Sequence, residues 1–216
     1  MTFAAIEYSA DEQVSFLVLQ EAYKLLNREI EIVSGSSAEL IRKSSSGTFD
    51  GELQRIDGLS RVYPSLVQVP VPVNVIQAEA FSLRSDLKVG NWEDLIPLRV
   101  GFIDGMFLSE QNLIIRNHQK APDYRTLMRW LVDGEIDVAV MPRLTGLSLI
   151  RELNLSQIHD SGTILQMVFL YHYLHQKHDA LLPQISQILE TMIKNGRTRE
   201  IREQYIQQHE FSGVVR

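Results

Sequence analysis

The sequence predicts an α/β protein of two lobes, and three observations predict it. Helix-like and strand-like periodicities alternate along its 216 residues. The segment GTFDGELQRIDGLSRVYPSLVQVPVPV, residues 47–73, runs from a glycine-bounded acidic turn through a basic and aromatic stretch into an alternating Val/Pro strand, the order of a first lobe followed by a crossover. A second α/β series begins near Ala80.

Each element follows from local pattern. Phe3 to Tyr8 reads as a strand, and Ser9 with Glu12 three residues later forms a capping box for a helix. Val14, Leu17, Val18, Ala22, Leu25 and Leu26 give that helix one apolar face. Glu29 to Val33 alternates as a half-buried strand does, so the chain opens as a β-α-β unit with parallel strands and a right-handed crossover. The serine-rich stretch 34–46 reads as a loop with a short helix around Ala38 to Arg42, and Phe49 to Ile56 as a strand or strand-turn-helix. Leu66 to Val73 alternates in period two. Its prolines, Pro70 and Pro72, cannot donate to a ladder and favour an edge or a connecting ribbon.

The second series starts with a short helix at Trp92 to Leu95, a strand at Arg99 to Ile103 and a turn at Asp104-Gly105. Leu127, Met128, Leu131 and Val132 line a helix that starts near Asp123 and ends at Gly134, before a buried strand from Ile136 to Val140. A turn at Asp160-Ser161-Gly162 precedes a long apolar strand, Ile164 to Tyr173. Two helices, Asp179 to Lys194 and Thr198 to Gln208, are separated by Asn195-Gly196, and Phe211 to Arg216 reads as a frayed tail.

Composition narrows function. A formal charge of −6 argues against nucleic acid as a partner, since phosphate binding shows as a clustered basic surface. The absence of cysteine removes disulfides, thiolate metal sites and cysteine nucleophiles. No apolar run reaches the length of a membrane span, and Met1 to Ile6 lacks the basic and apolar regions of a secretory signal. No G-x-S-x-G, HExxH or P-loop pattern occurs, so no catalytic residue and no cofactor is assigned. His172, His175 and His178 recur at steps of three, but a strand leading into a helix splays them apart, which fits a polar strand end better than a metal site. Trp92 and Trp130 read as packing residues.

The order of the strand-helix-strand opening, GTFDGELQRI, YPSLVQVPVPV, VGNWEDLIPLRVGFIDGM, LVDGEIDVAVMP and the closing helix pair resembles the family 3 extracellular solute-binding proteins, the amino-acid type of periplasmic binding protein that serves ABC transporters. The resemblance covers nearly the whole chain and lies in the number and order of segments. It implies the periplasmic-binding-protein-like type II fold: lobe one from residues 1–72 and 166–216, lobe two from 73–165, and two hinge crossovers that let the lobes close on a ligand. It further implies a monomer in the periplasm, with its signal peptide absent from the sequence, that delivers a small-molecule ligand to a membrane permease or receptor.

In that family an arginine after the first-lobe acidic element grips the ligand carboxylate; Arg61 is the nearest match and Arg55 the second. The serine and threonine that usually precede it are missing, and Pro142 with Arg143 stands where a ligand-binding carboxylate normally follows the second-lobe strand. Arg55, Arg61 and Arg143 together favour a polar, anionic, carboxylate or amino-acid-like ligand, because a guanidinium offers a planar fork of donors. The competing assignment pairs Arg55 with Asp50, Glu52 or Asp57 and leaves the other two in solvent. The resemblance also places the turn Gly105-Met106-Phe107 against the ligand, where free backbone N–H groups suit an anion, and Tyr8 as an aromatic ring toward it. Two alternatives remain: a ligand-sensing or degenerate module acting on a membrane signalling protein, and an enzyme of the cyclohexadienyl dehydratase kind using Glu52 or Asp50.

Overall fold

The computed structural model describes residues 1–103 and 117–209. The turn expected at Asp104-Gly105, the site candidates Gly105, Met106 and Phe107, and the tail from Phe211 lie outside the described residues. The chain divides into two compact α/β units. One contains Met1–Ile6, Asp11–Val75 and the chain from Phe169 on; the other contains Glu7–Ala10 and Ile76–Val168.

In the first unit, β1 (Thr2–Ile6), α1 (Ala10–Lys24) and β2 (Glu31–Gly35) form the expected β-α-β opening, with β1 and β2 parallel from Thr2↔Glu31 to Ile6↔Gly35. After α2 (Ser37–Ser45), β3 (Gly51–Ile56) pairs parallel to β1 and antiparallel to β8 (His159–His175), so the sheet is mixed. Gly51 faces the backbone carbonyl of Tyr173 so closely that a Cβ would overlap it, and its φ of 156° lies where only glycine is comfortable. The core joins Phe3 of β1, Val18, Leu19, Ala22 and Tyr23 of α1, and Leu53 of β3 to Ile185 and Leu189 of α6 (Leu182–Lys194). Burying each large side chain stabilises the fold by about 1.5–3 kcal/mol. The final helix, α7 (Arg197–Gln208), adds Ile201.

Several expectations shift. The first strand stops at Ile6, and Tyr8 adopts a left-handed φ of 58° in the turn before α1. The helix expected from Asp179 begins as a 3-10 turn, Gln176–Leu181, and becomes α-helical at Leu182, where Pro183 suits a position whose N–H has no helical partner. The Val/Pro segment is the start of a much longer strand, β4 (Leu66–Ser82), with Pro70 exposed and Pro72 half-buried. Both β4 and β8 contribute residues to each unit.

The second unit has strand order β4-β7-β5-β6, from β5 (Val100–Ile103), β6 (His118–Ala121) and β7 (Val138–Pro142). The β5–β6 and β5–β7 pairs are parallel and β4–β7 is antiparallel. The expected helix forms as α4 (Tyr124–Val132), capped by Asp123, which accepts from the Thr126 N–H at 2.7 Å and from its hydroxyl at 2.9 Å. It buries Leu127, Met128 and Leu131. Two elements have no counterpart in the sequence reading: β6, whose His118, Gln119 and Lys120 are exposed, and α5 (Arg143–Glu152). Within α5, Gly146 lies against the buried Phe81 ring, which a Cβ would strike. The turn expected at Asp160-Gly162 is part of β8. Its turn chemistry persists there, because Gly162 keeps a φ of 68° and the Ser161 hydroxyl bonds both N–H and C=O of Thr163.

Candidate functional site

Arg55 and Glu52 sit three residues apart on β3, a spacing that places side chains on opposite faces of a regular strand. The register with β8 shifts between them, Glu52 opposite Tyr173 and Arg55 opposite Tyr171, so three residues of β3 span two of β8. This bulge lets the Arg55 Nε and Nη2 reach Glu52 Oε2, both at 2.7 Å, while Nη1 donates to the Ser37 hydroxyl at 2.9 Å. Glu52 is fully buried and Arg55 is 6% exposed. Of the pairings open to Arg55, the structure shows the one with Glu52.

A second carboxylate completes this cluster. Glu12, in the first turn of α1, accepts the Ile6 N–H at 3.2 Å through Oε1 and lies within the field of both Arg55 and Glu52. Burial pushes its pKa up to about 8, against the opposing pull of the Arg55 guanidinium. Beside it, the Ser15 hydroxyl donates to the Gln54 side chain.

The second unit holds a cluster of the same charge types. Arg143, the first residue of α5, reaches Glu79 Oε2 at 2.6 Å and Asp160 Oδ2 at 3.1 Å, and the Ser161 hydroxyl lies 3.5 Å from Glu79 Oε1. A cation at a helix N-terminus opposes the helix dipole, and the two carboxylates offset that cost. Burial raises the pKa of Glu79 while Arg143 lowers it. Beside Asp160 a recess of about 20 Å³, lined by Ser82, Arg84, His159 and Ser161 among others, has room for about one water.

Arg61 differs from both. It lies on the single-turn helix α3 (Leu59–Val62), is exposed, and has no carboxylate partner among the described residues. Tyr8 is 43% exposed, and the Arg125 guanidinium sits over its ring at 4.2 Å. Arg125 in turn pairs with Glu152.

The histidines separate as well. His172 is buried, with Nδ1 2.9 Å from the Glu52 carbonyl and Nε2 2.9 Å from the Tyr23 hydroxyl. Carbonyl acceptors at Nδ1 place the ring proton there, so Nε2 accepts from Tyr23; burial pushes its pKa down to about 4, which keeps the ring neutral. His175 accepts the Lys177 N–H, and His178 Nε2 meets Asp50 at 2.6 Å. Trp92 and Trp130 are half-buried.

Sequence reasoning missed Glu79, Asp160 and Ser37. The signal for Glu79 was a lone acid inside the apolar run NVIQAEAF, where an unpartnered charge would be costly.

No protein-family model matches the chain, and no curated protein matches it in sequence. Solved structures do match in shape. A histidine kinase sensor domain with similarity to periplasmic binding proteins superposes with a TM-score of 0.78 at 18% identity, covering 95% of this chain and 96% of its own. An ancestral arginine-binding protein bound to glutamine also gives 0.78, at 17% identity, over 94% of this chain and 97% of its own. An amino acid ABC transporter substrate-binding protein from Streptococcus pneumoniae, bound to L-arginine, gives 0.75 at 14% identity, over 91% and 84%. The fold is therefore the two-lobed periplasmic-binding-protein-like type II fold. These neighbours are binding proteins and a sensor domain. Among the described residues no helix is long and apolar enough to cross a membrane.

Proposed function

We propose that this protein binds a small polar, amino-acid-like solute outside the cytoplasm and presents it, as a monomer and without catalysis, to the membrane permease of an ABC transporter. The observation that carries this reading is the likeness over at least nine-tenths of the chain to proteins described with glutamine and arginine bound. A preference for an anionic group on the ligand rests on Arg61. Arg55 and Arg143 are already engaged by carboxylates, whereas Arg61 offers an exposed guanidinium that a ligand carboxylate could engage without breaking an internal pair. Tyr8 and the turn Gly105-Met106-Phe107 remain proposed ligand contacts.

A second reading is a sensing or degenerate module that acts on a membrane signalling protein. It is favoured by the likeness to the kinase sensor domain and by the internal pairing of Arg55 and Arg143, which leaves fewer charges for a ligand to satisfy.

A thermal-shift screen against amino acids, dicarboxylates and small peptides separates the two. A true ligand at a hundredfold excess over its Kd should add roughly 2.7 kcal/mol of stability. Loss of that gain in Arg61→Ala, with the unliganded melting point unchanged, supports the transport reading and the anionic group. Absence of any shift in ligand-free protein supports the second reading.

A further inference from the structure

Tyr8 is framed by two helices of the second unit, to which the turn Glu7–Ala10 belongs. The Ser9 hydroxyl lies 3.3 Å from that of Thr145 on α5, both residues buried, and this contact seats the turn on the helix. The Tyr8 backbone takes a left-handed φ of 58°, a conformation that is costly for a bulky side chain and that the surroundings must impose. Over the ring sits the guanidinium of Arg125, from the first turn of α4, 4.2 Å from the ring centroid. Glu152, the last residue of α5, holds that guanidinium by pairing with its Nη2. Two helices thus converge to place one positive charge over one exposed aromatic ring.

We propose that Arg125 is a specificity-determining residue: by occupying one face of the Tyr8 ring it makes that ring a poor seat for a cationic side chain, so the ligand is an amino acid whose side chain is neutral or acidic. This inference rests on the reading of the protein as a binder of amino-acid-like solutes with Tyr8 as a ligand contact. An aromatic face attracts cations through its quadrupole, and an unshielded tyrosine would favour an arginine or lysine side chain. Here that attraction is already used by the protein itself. A second cation on the opposite face would stand roughly 8 Å from the first, where repulsion near a protein surface lowers affinity by about tenfold. A neutral side chain escapes this penalty, and a carboxylate is drawn by the same charge. Glu152 opposes the charge of Arg125, so its removal should strengthen the discrimination.

The test is calorimetric titration of ligand-free protein with L-arginine, L-lysine, L-glutamine and L-glutamate. The parent should bind the better of L-glutamine and L-glutamate about tenfold or more tighter than L-arginine and L-lysine. Arg125→Gln should narrow that gap by about tenfold, Arg125→Lys should retain most of it, and Glu152→Gln should widen it. Both side chains are exposed, so the variants should melt close to the parent. A parent without that preference, or a gap unchanged in Arg125→Gln, overturns the role of Arg125 and leaves the solute-binding reading standing. Failure of the parent to bind any of the four overturns both.

Discussion

Two clusters, one in each unit, are built from the same parts: two carboxylates and one arginine. In the first, Glu12 of α1 and Glu52 and Arg55 of β3 are all buried, and Arg55 also reaches Ser37 of α2. In the second, Arg143 and Asp160 keep 18% and 31% of their side chains in water, and only Glu79 is fully buried. Water can stabilise the negative charge at Asp160, whereas the three groups of the first cluster lie out of its reach. Equal composition thus gives a buried cluster in one unit and a partly hydrated ion-pair network in the other, and solvent access makes the difference.

The sharpest way to break this comparison is to remove each arginine. Arg55→Ala leaves Glu52 buried without its partner and should cost about 3–5 kcal/mol, read from urea unfolding at pH 7. Such a loss would also mean that any fall in ligand binding in this variant must be separated from a fall in folded protein.

The pH dependence is the next largest effect. Glu12 titrates at about 8 in the folded chain against 4.5 for the free side chain, so between these values the folded state holds a proton that the unfolded state has lost. Its contribution to stability is therefore complete below about 4.5 and is lost as pH rises through 8. Glu12→Gln should flatten the decline across that window by a few kcal/mol, seen as parallel denaturation midpoints at pH 5 and 8.5. An unchanged slope would remove Glu12 as its source.

Arg143→Ala should cost less, about 1–3 kcal/mol, because Asp160 is partly hydrated and Glu79 can take up a proton. A cost equal to that of Arg55→Ala would erase the contrast between the units. The smallest effect belongs to Arg61→Ala, within about 0.5 kcal/mol of the parent by melting, as expected for an exposed side chain with no carboxylate partner. That neutrality makes Arg61 the clean probe of ligand binding.

The α/β alternation, the β-α-β opening, the Asp123 cap and the two closing helices were legible because each rests on local periodicity or on a capping residue. The strand β6 and the helix α5 were not. An edge strand of exposed His, Gln and Lys carries no apolar alternation, and α5 places Thr145 and Gly146 on its buried face, where a pattern reader expects large apolar residues. Tyr8, Arg55, Arg61 and Arg143 were named from the sequence, yet their surroundings were not. Arg55 and Glu52 meet only because a bulge on β3 brings both to one side. Glu79 and Asp160 meet Arg143 only because β4, α5 and β8 converge, at separations of 64 and 17 residues from it.

The sequence by itself determined the class of fold, the order of its elements and the kinds of charged group available, since these follow from period, propensity and composition. Only the tertiary structure decided which of those charges face water and which face each other. Burial and register are properties of packed neighbours distant in the chain, and they set whether an arginine is held by its own protein or left open to a ligand.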